Sequence, residues 1–278
     1  MLKIRKIKNA GKRVMSFVKD GFDKKREPEK SLLTKKTRKV GRMSTGKIST
    51  RHRGGGHKRQ YRIVDFRLNK TDIPAKIIGI EKDPNRSSFI ALVAFSDGEK
   101  KYIPSWHGAK EGDSIIISDK AEIKIGNRTI LKRIPVGTEV FNVELKAGKG
   151  GQIVRSAGSS AIVMAQENGF THLQLPSSEI RMIHDICFAT IGKTGNIEHG
   201  SVRIGKAGRK RWMGKRPQVR GKVMNPVDHP HGGGEGNQPI GLKYAKTPWG
   251  KPAKGVKTRK PKKPSSQYIV RRRKKKKK

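Results

Sequence analysis

The sequence contains few of the residues on which disulfide-linked or membrane-spanning proteins depend. It has one cysteine among 278 residues, which excludes an intramolecular disulfide framework. We expect Cys187 to be a small buried apolar residue in a protein of a reducing compartment. Hydrophobic residues make up 32% of the chain, and no stretch approaches the ~18 uncharged apolar residues that a membrane span needs. The N-terminus lacks an uninterrupted apolar segment, so a secretory signal is not expected, while its basic character leaves an organelle transit peptide open.

Acidic residues are also scarce, and the scarcity is confined to the two ends of the chain. Residues 1–70 hold 24 Lys and Arg against 5 Asp and Glu, residues 71–200 hold 16 against 15, and residues 201–278 hold 26 against 2. The net charge of +44 is therefore carried by two arms around a nearly neutral centre. Because like charges repel, packing two such arms together is opposed unless an anionic partner is present. DNA, RNA, an anionic membrane and an acidic protein all remain open as that partner.

The nearly neutral centre has the pattern of short β-strands separated by turns. The first set of predicted strands comprises 60–68, 75–81, 88–95, 99–103 and 113–118. The Asp97-Gly98 dipeptide predicts a hairpin, and five short strands fit a small closed or partly open barrel of the OB type. About six further stretches between 138 and 192 fit a second small barrel. We therefore predict a mainly β fold.

The two arms lack this alternation. Residues 1–59 show little periodicity, and we expect them to be extended and ordered mostly by a partner. The strand pattern stops at about residue 201, and 225–241 is too rich in Gly and Pro for a regular helix or a central strand. A short helix is a candidate at 206–216. The terminal charge block at 271–278 is of a kind that is disordered when alone.

The first candidate site lies at 205–222, where basic residues surround one tryptophan and no acid occurs between 199 and 227. Its cations are Arg209, Lys210, Arg211, Lys215, Arg216, Arg220 and Lys222. The planar guanidinium fork of arginine matches phosphate oxygens, which favours a polyanion as the ligand. Trp212 has two alternatives that we leave open, stacking on a base or packing against the second barrel.

The second candidate site is the stretch DHPHGGGEG at 228–236, within the Gly- and Pro-rich segment 225–241. The candidate contact residues of this segment are Asn225, Asp228, His229, His231, Gly232, Gly233 and Gly234. The spacing does not match a zinc site, and no nucleophile or acid that would pair with a general base is visible. We favour close packing, in which the glycines let backbone N–H groups approach phosphate or sugar and the imidazoles bond to or stack on RNA.

Two further stretches place cations on glycine- or proline-rich chain. In the C-terminal arm, 247–263 is expected to form an extended cationic ribbon that contains Trp249, Lys251, Lys254, Lys257 and Arg259. The N-terminal arm repeats the design with Arg51, His52, Arg53, Gly54, Gly55, Gly56, His57, Lys58 and Arg59. A ring with few apolar neighbours, such as that of Trp249, is suited to stacking or docking.

Enzymatic signals are weak. The stretch GKAGRK at 205–210 does not have the spacing of a P-loop. The carboxylates of the centre are scattered through predicted hairpins, and no Ser, His and Asp set stands out. No helix-turn-helix, zinc-finger or basic-zipper pattern favours DNA. An RNA-binding structural protein is favoured over an architectural DNA-binding protein and over an enzyme with basic tails.

The stretch RGKVMNPVDHPHGGGEG at 220–236 resembles the universal large-subunit ribosomal protein two family, of bacterial type. Other stretches resemble that family in the same order along nearly the whole chain. They are 28–33, 51–66, 81–92, 97–103, 151–158, 187–192, 206–217 and 250–259. The 151–158 stretch adds Arg155 to the candidate RNA-contacting residues.

The resemblance implies an OB-fold RNA-binding domain at 60–125 and an SH3-like barrel at 126–200. These domains would be flanked by irregular basic extensions at 1–59 and 201–278. It implies a cytoplasmic structural component of the large ribosomal subunit that binds ribosomal RNA and other ribosomal proteins, and contacts the small subunit at an intersubunit bridge.

It further implies that the protein supports subunit association, tRNA binding and the nearby peptidyl-transferase centre. Peptide-bond chemistry would belong to RNA, so the protein is not expected to be an enzyme. No metal site, membrane contact or cofactor is expected beyond Mg²⁺ as a counterion of the RNA.

The chain departs from the family pattern at four places. Lys222 replaces a small or β-branched residue, Phe141 replaces a histidine, and Ser178 replaces a turn glycine. The loop at 105–108 is also spaced differently. The last three departures affect the expected local geometry and not the resemblance as a whole.

Overall fold

The computed structural model describes residues 2–6, 14–18, 26–35 and 40–273, and its fold is mainly β, as predicted. The chain forms two compact units. The first comprises 1–37, 58–206 and 267–278, and the second, which we call the basic unit, comprises 38–57 and 207–266. The bounds of the four predicted segments stay predictions.

The first unit contains all the strands that the structure assigns in the described ranges. They are β1 (Leu2–Lys6), β2 (Val14–Val18), β3 (Leu33–Lys35), β4 (Gln60–Arg62), β5 (Ala75–Lys82), β6 (Phe89–Phe95), β7 (Lys100–Pro104), β8 (Ser114–Ile115), β9 (Arg128–Ile130), β10 (Glu139–Phe141), β11 (Val143–Glu144), β12 (Gly151–Ile153), β13 (Ala161–Glu167), β14 (Phe170–Gln174), β15 (Ile180–His184), β16 (Phe188–Ile191) and β17 (Ile269–Arg271). The basic unit has one helix, α1 (Ala207–Trp212). Short 3₁₀ turns occur at Lys30–Leu32, Leu131–Arg133, Ile197–Ser201, Gly221–Val223 and Pro264–Ser266.

A four-stranded antiparallel sheet with the order β7-β6-β5-β8 forms the OB-type part. The most apolar run of the sequence becomes β6, in which six of seven residues are buried, because this strand lies between β5 and β7. The hairpin predicted at Asp97-Gly98 connects β6 to β7. The predicted strand at 60–68 is shorter than expected, since only Gln60–Arg62 pairs as a strand.

A seven-stranded sheet with the order β17-β15-β14-β13-β10-β16-β9 forms the SH3-like part. Its core includes Cys187, which is fully buried as predicted. Burial raises the pKa of the Cys187 thiol to about 11. Val140 packs in this core while its neighbour Phe141 packs in the core of the OB-type part. Because side chains alternate along β10, this strand contributes to both cores. Phe141, which replaces the histidine of the family pattern, is a buried aromatic side chain.

The expectation that the N-terminal arm is simply extended is wrong for the described parts of that arm. Strands β1 and β2 pair in antiparallel fashion, and β3 pairs with β4. The guanidinium of Arg26 donates to the Ile78 carbonyl at 2.7 Å and lies across Gly79, where a Cβ would be 1.9 Å from an Arg26 nitrogen. The segment that begins at Arg26 is therefore fixed to the OB-type sheet by its own contacts.

The strand pattern also resumes after residue 201, which the sequence did not predict. Strand β17 pairs with β15 and becomes the edge strand of the seven-stranded sheet. A short strand next to a charge block has too little alternation to be recognised, and only pairing with a distant strand defines it. Residues 274–278 of the terminal charge block lie outside the described residues.

A buried hydroxyl links the N-terminal segment to the OB-type core. Tyr102 is fully buried, and its hydroxyl donates to Glu81 at 2.8 Å and accepts the Glu29 backbone N–H at 3.0 Å. Burial is the main cause that raises the pKa of Tyr102 to about 12. The link holds the arm at Glu29 in one position relative to the sheet.

Candidate nucleic-acid interface

Most of the predicted RNA-contacting residues lie in the basic unit. Segment 38–57 holds six Lys and Arg, segment 207–266 holds sixteen, and the two segments together contain only Asp228 and Glu235 as acids. Lys58, Arg59 and Arg155 lie in the first unit. An excess of cations of this size attracts phosphate over the whole surface of the basic unit.

The glycine-rich segment 51–57 pairs with 212–216, which lies about 160 positions later in the sequence. Three backbone hydrogen bonds join these segments, from Gly54 to Gly214 at 3.1 Å, from His57 to Trp212 at 2.9 Å and from Arg216 to His52 at 3.0 Å. An isolated antiparallel bridge joins Arg53 and Lys215. Two cationic stretches that the sequence separates are therefore held side by side.

This pairing requires glycine at its centre. A Cβ on Gly56 would lie 2.9 Å from the Gly214 Cα and 3.1 Å from the Trp212 carbonyl oxygen. Gly214 has a φ of 86°, in the left-handed region. Gly56 therefore permits the close approach of the two backbones, whereas Gly214 supplies a backbone conformation that other residues rarely adopt.

Helix α1 occupies the first half of the helix predicted at 206–216. It ends at Trp212, and the amide of Gly214 bonds to the Arg211 carbonyl at 2.8 Å. Lys210 and Arg211 are exposed on it, and Trp212 is 46% exposed, with its ring centroid 5.8 Å from that of His57. The helix therefore presents cations beside an aromatic pair.

The histidine loop at 225–236 is held by hydrogen bonds to its imidazoles. His229 is only 8% exposed, and its Nδ1 accepts the backbone N–H of His231 at 3.0 Å. The His229 ring packs on Gly221, where a Cβ would lie 2.5 Å from the ring. His231 in turn accepts the Lys246 backbone N–H at Nε2, at 2.9 Å. Both rings thus support the shape of the loop.

The glycine run in this loop also packs against the loop's own backbone. A Cβ on Gly232 would lie 2.2 Å from the Asn225 carbonyl oxygen. The Gly232 amide donates to the His229 carbonyl at 2.8 Å, and the Gly233 amide donates to the Met224 carbonyl at 2.9 Å. The close approach that we expected toward phosphate or sugar is therefore made within the chain at these two amides.

The predicted cationic ribbon contains a closed turn. The Gly250 amide bonds to the Thr247 carbonyl at 2.9 Å, and the Thr247 amide bonds to the Lys251 carbonyl at 2.7 Å. Trp249 at this turn is 74% exposed, and the guanidinium of Arg51 lies over its ring at 5.3 Å. Farther along, Arg259 donates to Ser265 and Ser266 at 2.9 and 3.2 Å. The ribbon is therefore fixed at two points and not uniformly extended.

Lys58, Arg59 and Arg155 belong to the first unit, although Lys58 and Arg59 directly follow segment 51–57 in the chain. The Arg59 side chain donates to the Pro84 carbonyl at 2.8 Å. Arg155 lies 4.3 Å over the Phe66 ring, and burial together with Arg86 lowers the pKa of its guanidinium. Sequence reasoning did not single out Arg86, which also lies over Phe66, at 5.6 Å. Only the folded sheet brings these two arginines to one ring.

Two classes of site are not found in the described parts of the chain. Among residues 2–6, 14–18, 26–35 and 40–273, no cluster of three or more His, Cys, Asp or Glu side chains has an arrangement suited to a metal ion. In the same ranges no helix has the length and apolarity needed to cross a bilayer. Asp228, His229 and His231, which lie close together in the sequence, are therefore not arranged as such a cluster.

Comparison with protein families gives two matches that together span more than half of the chain. A family model described as Ribosomal Proteins L2, RNA binding N-terminal domain, matches residues 29–117. A model described as Ribosomal Proteins L2, C-terminal domain, matches residues 124–250. The first match covers the OB-type sheet, and the second covers most of the SH3-like sheet and continues into the basic unit.

Proposed function

The chain belongs to the ribosomal protein L2 family, and we propose from this premise that its basic unit is the main surface with which it binds large-subunit ribosomal RNA. The family makes the protein a large-subunit ribosomal protein with an RNA-binding domain. The observation that carries the proposal is the backbone pairing of 51–57 with 212–216, which brings two acid-free cationic stretches together. The individual RNA-contacting residues named from the sequence are part of this proposal.

The basic unit would act as a shaped cationic surface. Arginine and lysine side chains would bind phosphates. The hydrogen-bonded backbone of 51–57 and 212–216 would set the positions from which these side chains extend. Such binding depends on backbone geometry as well as charge, because a side chain at Gly56 would keep the two segments from approaching each other. A structured RNA with closely spaced phosphates is the ligand that such a surface suits.

We further propose a supporting role close to the peptidyl-transferase centre, without catalysis by the protein. The protein would help the subunits to associate and tRNA to bind, and it would contact the small subunit at a bridge. The resemblance to the bacterial-type family supports these assignments and a cytoplasmic location. Mg²⁺ would take part only as a counterion of the RNA, and no membrane contact is needed.

The histidine loop is the place to test this role. Large subunits reconstituted with His229→Ala should incorporate the protein but form peptide bonds about tenfold more slowly, because the His231 N–H loses a buried acceptor. His229→Asn offers an oxygen near the position of Nδ1 and should restore most of the rate. His229→Gln reaches the position of Nε2 instead and should not restore it.

The matched control is His107→Ala, which changes an exposed histidine of the first unit. It should leave the rate unchanged. A wild-type rate for His229→Ala would contradict the proposed support of the centre. Equal rates for the Asn and Gln variants would contradict the role assigned to the Nδ1 acceptor.

A further inference from the structure

The three tryptophans of the chain lie in different environments. Trp106 is 5% exposed and belongs to the core of the OB-type part. Trp212 is 46% exposed and lies beside His57, whereas Trp249 is 74% exposed. A tryptophan that leaves most of its large apolar surface in water contributes little to the core, and its ring is accessible to a ligand.

The backbone around Trp249 is built to hold the ring in place. Thr247, Pro248, Trp249 and Gly250 form a tight turn, with proline at the second position and the Gly250 amide bonded to the Thr247 carbonyl. Gly250 has a φ of 76°, which lets the chain turn back to the bridge between Lys246 and Pro252. The turn needs no side chain at position 249, so the tryptophan is not there for the turn itself.

A cation covers one side of this ring. The Arg51 guanidinium lies 5.3 Å from the centroid of the Trp249 ring, at a distance typical of a cation–π contact. Arg51 belongs to the segment that pairs with 212–216, so both partners of the contact are carried by hydrogen-bonded backbone. The exposed remainder of the ring is a flat aromatic surface on a stretch of chain that also carries Lys246, Lys251 and Lys254.

We propose that Trp249, backed by Arg51, is a stacking platform for one unpaired RNA base. This rests on the proposed RNA-binding function and adds the chemical class of the group bound at this point, a nucleobase and not a phosphate. An aromatic face accepts any base by stacking, and lysines such as Lys251 and Lys254 can bind the flanking phosphates. A base inside a duplex is already covered on both faces, so the platform requires a bulge, a loop or a single strand.

An apolar pocket of a protein partner is the competing occupant. The observations favour RNA, because 236–273 contains no acid but eight Lys residues and four Arg residues, and a protein that docked there would need a strongly acidic surface around its pocket. A base in an RNA strand is flanked on both sides by negatively charged phosphates, which this basic segment would attract. The two occupants also differ in what they require of residue 249, since a pocket accepts any apolar side chain and stacking requires a flat ring.

The test uses the full-length chain and three synthetic RNAs of about 12 nucleotides, a length that spans one binding site. They are an oligoadenylate, an abasic strand with the same number of phosphates, and a fully paired duplex. Affinities are measured as a function of salt for the wild type, Trp249→Phe and Trp249→Leu. Val256→Ala, which changes an exposed apolar residue of the same unit, is the matched control.

We expect Trp249→Leu to weaken oligoadenylate binding about tenfold and to leave the affinity for the abasic strand and the duplex unchanged. Trp249→Phe should retain most of the affinity. The slope of log affinity against log salt should be the same in all variants, because no charge is removed. Val256→Ala should match the wild type on all three RNAs.

Stacking is overturned if Trp249→Leu binds oligoadenylate as well as Trp249→Phe does, or if it loses the same affinity on the abasic strand. Failure of the underlying RNA-binding function gives a different result. In that case the wild type itself binds the abasic strand weakly and with a salt slope near zero.

Discussion

Ser178 adopts a backbone conformation that its side chain disfavours. It lies in the turn between β14 and β15 with a φ of 65°, and its amide bonds to the Leu175 carbonyl at 2.8 Å. A Cβ in this left-handed region costs about 1–2 kcal/mol, whereas glycine adopts the region freely. Ser178, which replaces the turn glycine of the family pattern, is thus a strained residue, because it keeps the left-handed conformation that glycine adopts freely.

Ser178→Gly should raise the free energy of unfolding by about 0.5–1 kcal/mol, since relief of strain exceeds the entropy that glycine gains in the unfolded chain. Thermal unfolding of the full chain measures this change. Ser177→Gly is the control, because that residue has no positive φ and should lose stability instead. Destabilisation by Ser178→Gly would show that the turn is not strained.

At the scale of elements, the basic unit depends on contacts between segments far apart in sequence. No regular strand in the described part of this unit holds 51–57 against 212–216, which are joined by a few hydrogen bonds and approach closely because Gly56 has no side chain. Binding and backbone packing are therefore coupled. A substitution that adds no charge and removes none can still change the RNA surface.

Gly56→Ala should weaken binding of the full chain to large-subunit ribosomal RNA about tenfold, because a methyl 2.9 Å from the Gly214 Cα forces the two segments apart. Affinity at fixed salt measures the effect. Gly208→Ala is the matched control, since a Cβ there meets nothing within 4 Å and helix α1 tolerates alanine well. If both variants bind alike, the pairing of the segments does not shape the surface.

At the scale of the whole molecule, positive charge is separated from the parts that build a hydrophobic core. The nearly neutral residues 71–200 supply nearly all of the buried apolar side chains, while the basic unit contributes few. Buried titratable groups consequently concentrate in the first unit. Tyr102 and Cys187 are the two whose raised pKa values have consequences for stability at high pH.

The free energy of unfolding should fall as pH rises from 9 to about 12. Burial in the folded chain raises the pKa of the Cys187 thiol from 9.0 to about 11. It raises the pKa of the Tyr102 hydroxyl from 10.0 to about 12. In these intervals the unfolded chain has already lost the proton that the folded chain retains, so unfolding becomes more favourable. Denaturant titrations across this pH range measure the decline.

Two variants separate the contributions. Cys187→Ala should flatten the decline between pH 9 and 11, and Tyr102→Phe should flatten it between pH 10 and 12, although each lowers stability at neutral pH. A decline that keeps the same slope in both variants would assign it to other groups.

The amino-acid sequence by itself determined what depends on composition and on short-range pattern. The separation of charge, four of the five strands predicted for the OB-type part and the Asp97-Gly98 hairpin follow from composition and local alternation. The burial of Cys187 follows from its small apolar side chain. The family was also recognisable, because its motifs cover most of the chain in order.

Only the tertiary structure decided which distant segments meet. The pairing of Gly56 with Gly214, the contact of Arg51 with Trp249 and the addition of β17 to the edge of β15 have no local signal. The same is true of the imidazoles of His229 and His231, whose acceptor atoms serve the chain's own amides. Apart from the bond between His229 and His231, these contacts join segments that are distant in sequence. They form only when the fold brings the two backbones together, so no local sequence pattern predicts them.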